Sequence, residues 1–180
     1  VPALRNRFDL LAARVKNDAG DNAGSGALLD EIKPRLATPD EQIAWAMLDL
    51  VLPQRQGKLG DLIPRLKPLY DRWNADPSID PRLRWQLVDK YALALEIEGR
   101  LNEAESVHEA LLADQKGKLA ANHPLIAQTQ MRLADLKYEL RKSGEYDALV
   151  AEATETIKRV YGTRSIAYAA ALESQGYTLF

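Results

Sequence analysis

Two histidines are the only side chains of this sequence that ordinarily titrate near neutral pH. His123 directly precedes a proline at a predicted helix start, where it is expected to cap the helix. His108 lies within a predicted helix, where a packed core position is expected rather than a ligand role. The sequence has no cysteine, and it contains no HExxH motif, no phosphate-binding glycine loop and no nucleophile elbow.

Acidic pairs are the other arrangement that could support acid–base catalysis. Glu96 and Glu98 are two residues apart, as are Glu103 and Glu105. On helices such pairs usually belong to a solvated surface, and that is the role predicted for both. We therefore predict no catalytic, cofactor-binding or metal-binding residues, and a protein that is not an enzyme.

Composition and charge narrow the class of protein further. The 180 residues are 46% hydrophobic and 28% charged, with a net charge of −2, as in an ordinary globular domain. No basic face is evident, so direct nucleic-acid binding is not expected. No apolar run is long enough for a membrane span. Because the chain begins at Val1 and stops at Phe180 inside an apolar helical pattern, we expect a domain excised from a larger protein. A cytoplasmic location is favoured, with a periplasmic one as the alternative if the domain is tethered to a membrane regulator.

Helix signals recur along the chain at a nearly fixed interval. A proline suits the first position of a helix, and a glycine suits the residue just past its end. Each proline-to-glycine interval therefore predicts a helix of about 17 residues, and their period of 42 to 45 residues predicts a helical solenoid. The intervals run from Pro39 to Gly57, from Pro81 to Gly99 and from Pro124 to Gly144, with a candidate earlier copy from Pro2 to Gly20.

The repeat predicts one all-α domain over residues 1–180 with about nine helices in antiparallel pairs. The pairs cover residues 2–37, 38–80, 81–122 and 123–164, and a terminal helix covers 165–180. Thr38 with Glu41 predicts a capping box at the start of the second pair. The segment from Ala19 to Gly26 is predicted to be a flexible loop.

The first helix and the second helix pair carry features that bear on packing. The first helix, from about Pro2 to Asp18, is amphipathic and has an apolar stripe along one face. The second pair contains prolines that predict kinks. The stripe comprises Leu4, Phe8, Leu11 and Val15. The prolines that predict kinks are Pro53 and Pro68, whereas Pro64 fits the first turn of its helix.

The stretch from Tyr91 onward resembles a tetratricopeptide repeat, in the 42-residue form of kinesin light chains. Ala92 lies seven residues before Gly99, Leu101 two residues after it and Ala104 five residues after it, as in that form. His123-Pro124 matches the pair between repeats, and His108 occupies a position where the family has an aromatic residue. The copies around Gly57 and Gly144 match more loosely, and residues 1–37 match by spacing alone.

The resemblance implies a stack of helix pairs with a concave groove lined mainly by the first helix of each pair. Kinesin light chains hold peptide backbone there with paired asparagines, where this sequence has Asp89-Lys90 and Met131-Arg132. The groove-facing residues that the resemblance implies are Gln86, Asp89, Lys90, Glu96, Gln128, Met131, Arg132, Asp135 and Tyr138.

Three functional interpretations follow. The first is a module that binds a protein or peptide, such as the sensing or scaffold part of a bacterial regulatory protein. The second is a scaffold that forms homodimers through its terminal helices, based on the apolar residues from Ala169 to Leu172, Tyr177 and Phe180. An enzyme with an unrecognised site is the third. The tryptophans at 45, 73 and 85 are expected in the core, with an exposed peptide anchor as the alternative for one of them.

Overall fold

The computed structural model describes residues 2–51 and 62–176. Within these ranges the secondary structure consists of helices and no strand. Helices α1 to α9 span Pro2–Asp18, Asn22–Ile32, Pro39–Asp49, Leu62–Trp73, Pro81–Ile97, Leu101–Lys118, Pro124–Glu139, Ser143–Tyr161 and Ile166–Gly176, and a 3₁₀ turn covers Lys33–Arg35. The all-α class and the number of helices agree with the prediction.

The helix starts predicted at Pro39, Pro81 and Pro124 are confirmed, and at each of them a side chain accepts from a free backbone N–H group. Thr38 and Glu41 form the capping box at the start of α3. Asp80 accepts from the N–H of Arg82, and the Nδ1 atom of His123 accepts from the N–H of Leu125 at 3.2 Å. A cap of this kind typically contributes about 1 kcal/mol to stability.

Two of the predicted helix ends, those at Gly20 and Gly99, are confirmed. Gly20, Gly99 and Gly162 have positive φ angles of 83°, 73° and 77°, and Gly57 lies outside the described residues. In the fourth repeat α7 ends at Glu139, and Arg141 adopts φ 61°. The prediction that Gly144 ends this helix is therefore wrong, because Gly144 is the second residue of α8.

Two further boundaries differ from the sequence-based expectation. The segment expected to be a loop up to Gly26 is helical from Asn22, because Asp21 caps α2 by accepting from the N–H of Gly24 at 2.8 Å. Helix α3 ends at Asp49 rather than near residue 57. Pro68 lies inside α4, which continues to Trp73, whereas Pro53 lies outside the described residues.

The helices up to Glu98 form one compact unit, and those from Gly99 onward form another. The single domain over 1–180 stays a prediction. Residues 42 apart occupy equivalent buried positions, which explains the residue types of the repeat. One such set is Leu50, Ala92 and Ala134, and another is Leu62, Ala104 and Tyr146.

The first unit buries a face of α1 that the sequence did not predict. Leu10 and Ala13 pack with Leu29 and Ile32 of α2. Asn6 and Asn17 of α1 are also buried on this face. The apolar stripe that starts at Leu4 lies on the opposite face and is exposed, so the usual expectation that such a stripe faces the core is wrong here.

The second unit is built on α6, α7 and α8. Leu112 of α6 packs with Ile126 and Leu133 of α7, and Ala134 of α7 packs with Tyr146 and Val150 of α8. The hydroxyl of Tyr146 donates to the carbonyl of Ser174 in α9 at 2.5 Å. No helix among the described residues is both long and apolar enough to cross a membrane.

Candidate functional site

The first helices of three successive pairs line a cavity in the first unit. Its volume is about 450 Å³, and its walls come from α1, α3 and α5. Most of the lining is apolar, and the polar groups are one guanidinium and one amide. The lining residues are Leu10, Leu11, Arg14, Ala44, Met47, Leu48, Leu83 and Gln86.

The residues expected in the groove on α5 lie at the spacing of a single helix face. Gln86 is exposed, and Asp89, Lys90 and Glu96 are half-buried. Of these four, Gln86 contributes to the 450 Å³ cavity. The other three follow it towards the carboxyl end of the helix.

The residues expected in the groove on α7 belong to the second unit. Gln128, Asp135 and Tyr138 are exposed, and Met131 and Arg132 are half-buried. Their spacing of three and four residues places them on one face of α7. Tyr138 also contacts Tyr146, with ring centroids 5.6 Å apart. The predicted groove residues thus lie on two helix faces, one in each unit, and their role in binding stays a prediction.

A buried ion cluster in the second unit was missed at the sequence level. The Nζ atom of Lys137 lies 2.5 Å from Glu105, 2.7 Å from Glu109 and 2.7 Å from Glu145, and its side chain is 4% exposed. Lys142 contacts Glu105 at 2.6 Å. The cluster links α6, α7 and α8, so it holds three successive helices together.

The electrostatics of the cluster favour the charged forms of both buried partners. Burial alone would raise the pKa of Glu105, but hydrogen bonds from Lys137 and Lys142 outweigh it, and the pKa is lowered. Burial alone would lower the pKa of Lys137, but its glutamate partners raise it well above its usual value. The three carboxylates are close enough to bind a cation, and here the ammonium of Lys137 contacts all three.

The repeat itself contained the signal for this cluster. Lys137 lies 42 residues after Leu95, and Glu105 lies 42 residues after Ile63. Leu95 and Ile63 are both buried. A charged residue at a core position of the repeat thus marks a buried ion pair. The solvated surface predicted for Glu103 with Glu105 is wrong for Glu105, whereas Glu103 is exposed and pairs with Arg100.

Both histidines have structural roles. His108 is completely buried in α6, which confirms the predicted core position and keeps the imidazole from any substrate. His123 uses its Nδ1 atom to cap α7, as predicted.

The tryptophans follow the core prediction in two cases. Trp73 and Trp85 are buried. Trp45 is half-buried. Its Nε1 atom donates to the carbonyl of Leu29 at 2.8 Å, and the Nζ atom of Lys33 lies 4.6 Å from its ring centroid. Trp45 also borders a second cavity of the first unit, of about 670 Å³, between α2, α3 and α4.

A cavity of about 790 Å³ lies in the second unit at the end of α6. Leu119 and Ile126 contribute to its apolar lining, and Lys116, Glu152 and Arg159 contribute charges. The Nε2 atom of the buried Gln130 donates to Glu152 at 2.5 Å. Lys116 also contacts Glu152 at 3.3 Å. An ion pair between two lining residues therefore bridges the wall of this cavity.

Paired helices on a 42-residue period, with small or apolar residues at each crossing, define the fold as a TPR-like α-solenoid. Similar solved structures support this assignment. The crystal structure of BtubC (BKLC) from P. vanneervenii matches with a TM-score of 0.63 and 20% identity, over 97% of this chain and 63% of that chain. The chain thus spans less than two thirds of the length of BtubC.

A second match is the crystal structure of Podosopora anserina putative kinesin light chain nearly identical TPR-like repeats. Its TM-score is 0.71 at 18% identity, over 98% of this chain and 89% of that chain. A singly substituted form of the same repeat protein matches with a TM-score of 0.68 at 18% identity, over 96% and 87%. No protein-family model matches the chain, and no curated protein matches it. At these identities the similarity establishes the fold.

Proposed function

We propose that this chain is a non-catalytic module that binds a protein or peptide in the groove formed by α1, α3 and α5. The observation that supports the proposal is the 450 Å³ cavity between these helices. It combines an apolar lining with the guanidinium of Arg14 and the amide of Gln86. A lining of this composition suits an extended peptide or one face of a partner helix.

The chemistry of the groove defines the partner more closely. Leu83 and Met47 offer half-buried apolar surface to an aliphatic or aromatic side chain. Arg14 supplies a positive charge beside them, and Gln86 supplies a hydrogen-bond donor and acceptor. We therefore propose a partner segment that carries apolar residues next to a carboxylate.

Catalysis is not part of the proposal, for a physical reason. An acid or base must reach the proton that it transfers. His108 is completely buried, and Lys137 is fixed by three carboxylates.

For its cellular role, we propose that the module is the sensing or scaffold part of a bacterial regulatory protein, by fold-level analogy.

The groove is tested with substitutions that place charge on its apolar lining. Met47→Glu and Leu83→Glu are expected to abolish capture of the proteins that the wild-type chain retains from a lysate, as quantified by mass spectrometry. Asp89→Lys with Arg132→Glu tests the predicted polar residues in the same assay. Asp147→Lys, at an exposed position of α8, is the control. If every protein is retained by all of these variants, the groove is not the binding site.

Self-association is the second candidate function, and an observation on α9 favours it. Ile166 is 91% exposed and Leu172 is 43% exposed, whereas Tyr177 and Phe180 lie outside the described residues. We propose Ile166→Glu with Leu172→Glu as the test, read by sedimentation velocity over a concentration series. A wild-type chain that stays monomeric at all concentrations would rule out this function.

A further inference from the structure

Helix α1 exposes a narrow row of large apolar side chains on the face opposite its buried one. Leu4, Phe8, Leu11 and Val15 are 54%, 63%, 56% and 59% exposed. Their spacing of four, three and four residues is that of the a and d positions of a coiled coil. We name these four side chains the α1 seam. The face opposite the seam carries Leu10 and Ala13, which pack against α2.

Basic side chains flank the seam on both sides. In the heptad frame that places Phe8 at an a position, Arg5 takes an e position, and Arg7 and Arg14 take g positions. These e and g positions carry no acidic residue. Arg5 and Arg14 keep 70% of their side-chain surface exposed although each lies near an aspartate one turn on, at 3.7 and 4.0 Å.

We propose that the α1 seam docks an amphipathic helix that carries acidic residues beside its own apolar row. The a and d spacing accepts knobs from a facing helix, and the flanking arginines pair with carboxylates at the partner's e and g positions. The partner is another protein segment of this chemistry. The seam borders the groove, since Leu11 and Arg14 also line the groove cavity. It extends beyond the groove through Leu4, Phe8 and Val15, which do not line that cavity.

A second copy of α1 fits the seam less well than an acidic helix. Two antiparallel copies would place Arg7 of one chain near Arg14 of the other, and two parallel copies would offer no carboxylate to either arginine. Like charges at these positions oppose pairing, whereas opposite charges select the partner.

The width of the seam also favours a helix over a membrane surface. Interfacial helices present a broad apolar face rich in bulky residues. The four seam residues form a strip of a and d positions only, which is the narrower geometry of a helix–helix contact. The opposite face of α1 is engaged by its own unit, where Asn6 bonds to the carbonyl of Arg35 at 3.0 Å.

The test uses two designed helices of about four heptads with leucine at a and d. One carries glutamate at every e and g position, and the other carries lysine there, so that like charges keep each probe monomeric. Calorimetry at low salt is expected to give binding of the glutamate probe to the 180-residue chain at least about tenfold tighter than that of the lysine probe, with a preference that salt reduces.

Three variants make the result specific. Phe8→Glu is expected to weaken binding of the glutamate probe by about tenfold or more, because it removes an aromatic anchor that the docked helix would bury. Tyr161→Glu, at an aromatic side chain of α8 that is 54% exposed, is expected to leave binding unchanged. Arg5→Glu with Arg7→Glu is expected to reverse the preference towards the lysine probe.

Other outcomes would overturn the proposal. Equal affinity for both probes, or no binding of either, would show that the seam does not select an acidic helix. A dimer in sedimentation that Phe8→Glu dissociates would identify a second copy as the occupant. Binding to vesicles of phosphatidylserine and phosphatidylcholine that Phe8→Glu abolishes would identify a membrane instead. Because Met47→Glu alters the groove and not the seam, loss of groove binding with intact probe binding separates the two proposals.

Discussion

Arg141 adopts the left-handed backbone conformation at the repeat position that Gly99 occupies 42 residues earlier. Gly99 has φ 73° and Arg141 has φ 61°. Each follows a helix that ends two residues before it, at Ile97 and at Glu139. The turn is therefore the same in both repeats, but in the second it is made by a residue whose Cβ disfavours that conformation by about 1–2 kcal/mol.

Replacing Arg141 by glycine is expected to stabilise the protein. Glycine relieves the left-handed strain, and its greater freedom in the unfolded chain offsets part of the gain. We expect an increase of about 0.5–1 kcal/mol in the free energy of unfolding, measured by urea denaturation. Gly99→Ala is the matched control and is expected to lose about 1 kcal/mol. An Arg141→Gly variant less stable than wild type would show that the Arg141 side chain contributes more than the strain removes.

The buried pair of Lys137 and Glu105 is expected to matter most when only one partner is removed. Lys137→Leu leaves the buried carboxylate with Lys142 alone, and removing one partner of a buried pair typically costs about 3–5 kcal/mol. Leucine is the residue that the repeat has at the equivalent position, Leu95, and isoleucine occupies the position equivalent to Glu105.

The double variant Lys137→Leu with Glu105→Ile is therefore the informative comparison. Because both charges are replaced by the apolar residues of the preceding repeat, we expect it to recover to within about 1 kcal/mol of wild type or to exceed it. The coupling between the two sites is read from a double-mutant cycle of urea unfolding. Additive losses at both sites would show that the two side chains do not act as a pair.

The same double variant is expected to change the response to acid. Glu105 has a pKa lowered by Lys137 and Lys142, so its contribution to stability is present above the unfolded pKa of about 4.3 and is lost as the pH falls through the lower folded value. As the pH falls below about 5, wild type should lose more free energy of unfolding than the double variant. The pKa of Glu41 is also lowered. Because Glu41 is present in both wild type and the double variant, its contribution to the pH dependence cancels in the comparison. Parallel pH profiles would contradict this prediction.

The sequence was sufficient for the parts of the fold that local chemistry determines. Pro39, Pro81 and Pro124 each begin a helix, because a proline at the first helical position loses no hydrogen bond. The spacing of 42 residues gave the pairing of helices, and solved structures share that fold. Helical spacing also placed Gln128, Met131, Arg132, Asp135 and Tyr138 on one face of α7, whereas their role in binding a partner stays a prediction.

What the sequence did not reveal depends on contacts between residues far apart in the chain. Periodicity identifies an apolar stripe on α1 but not which face the neighbouring helices cover. The buried face holds Asn6 and Asn17, whose amides bond to backbone carbonyls and a carboxylate beyond residue 34. Such partners are visible only once the helices are packed, and the same is true of the carboxylates around Lys137.

These two asparagines give the last prediction. Asn6 donates to the carbonyl of Arg35 at 3.0 Å and to Glu41 at 3.2 Å, whereas Asn17 donates to the carbonyl of Leu48 at 3.3 Å. Asn6→Ala is expected to cost about 2–3 kcal/mol, since it removes a charge-assisted bond and leaves the buried Glu41 with fewer donors, while Asn17→Ala is expected to cost about 1 kcal/mol. Urea unfolding of both variants measures the difference. Equal losses would mean that the bond to Glu41 adds nothing, and that the capping box at Thr38 satisfies this carboxylate without help from α1.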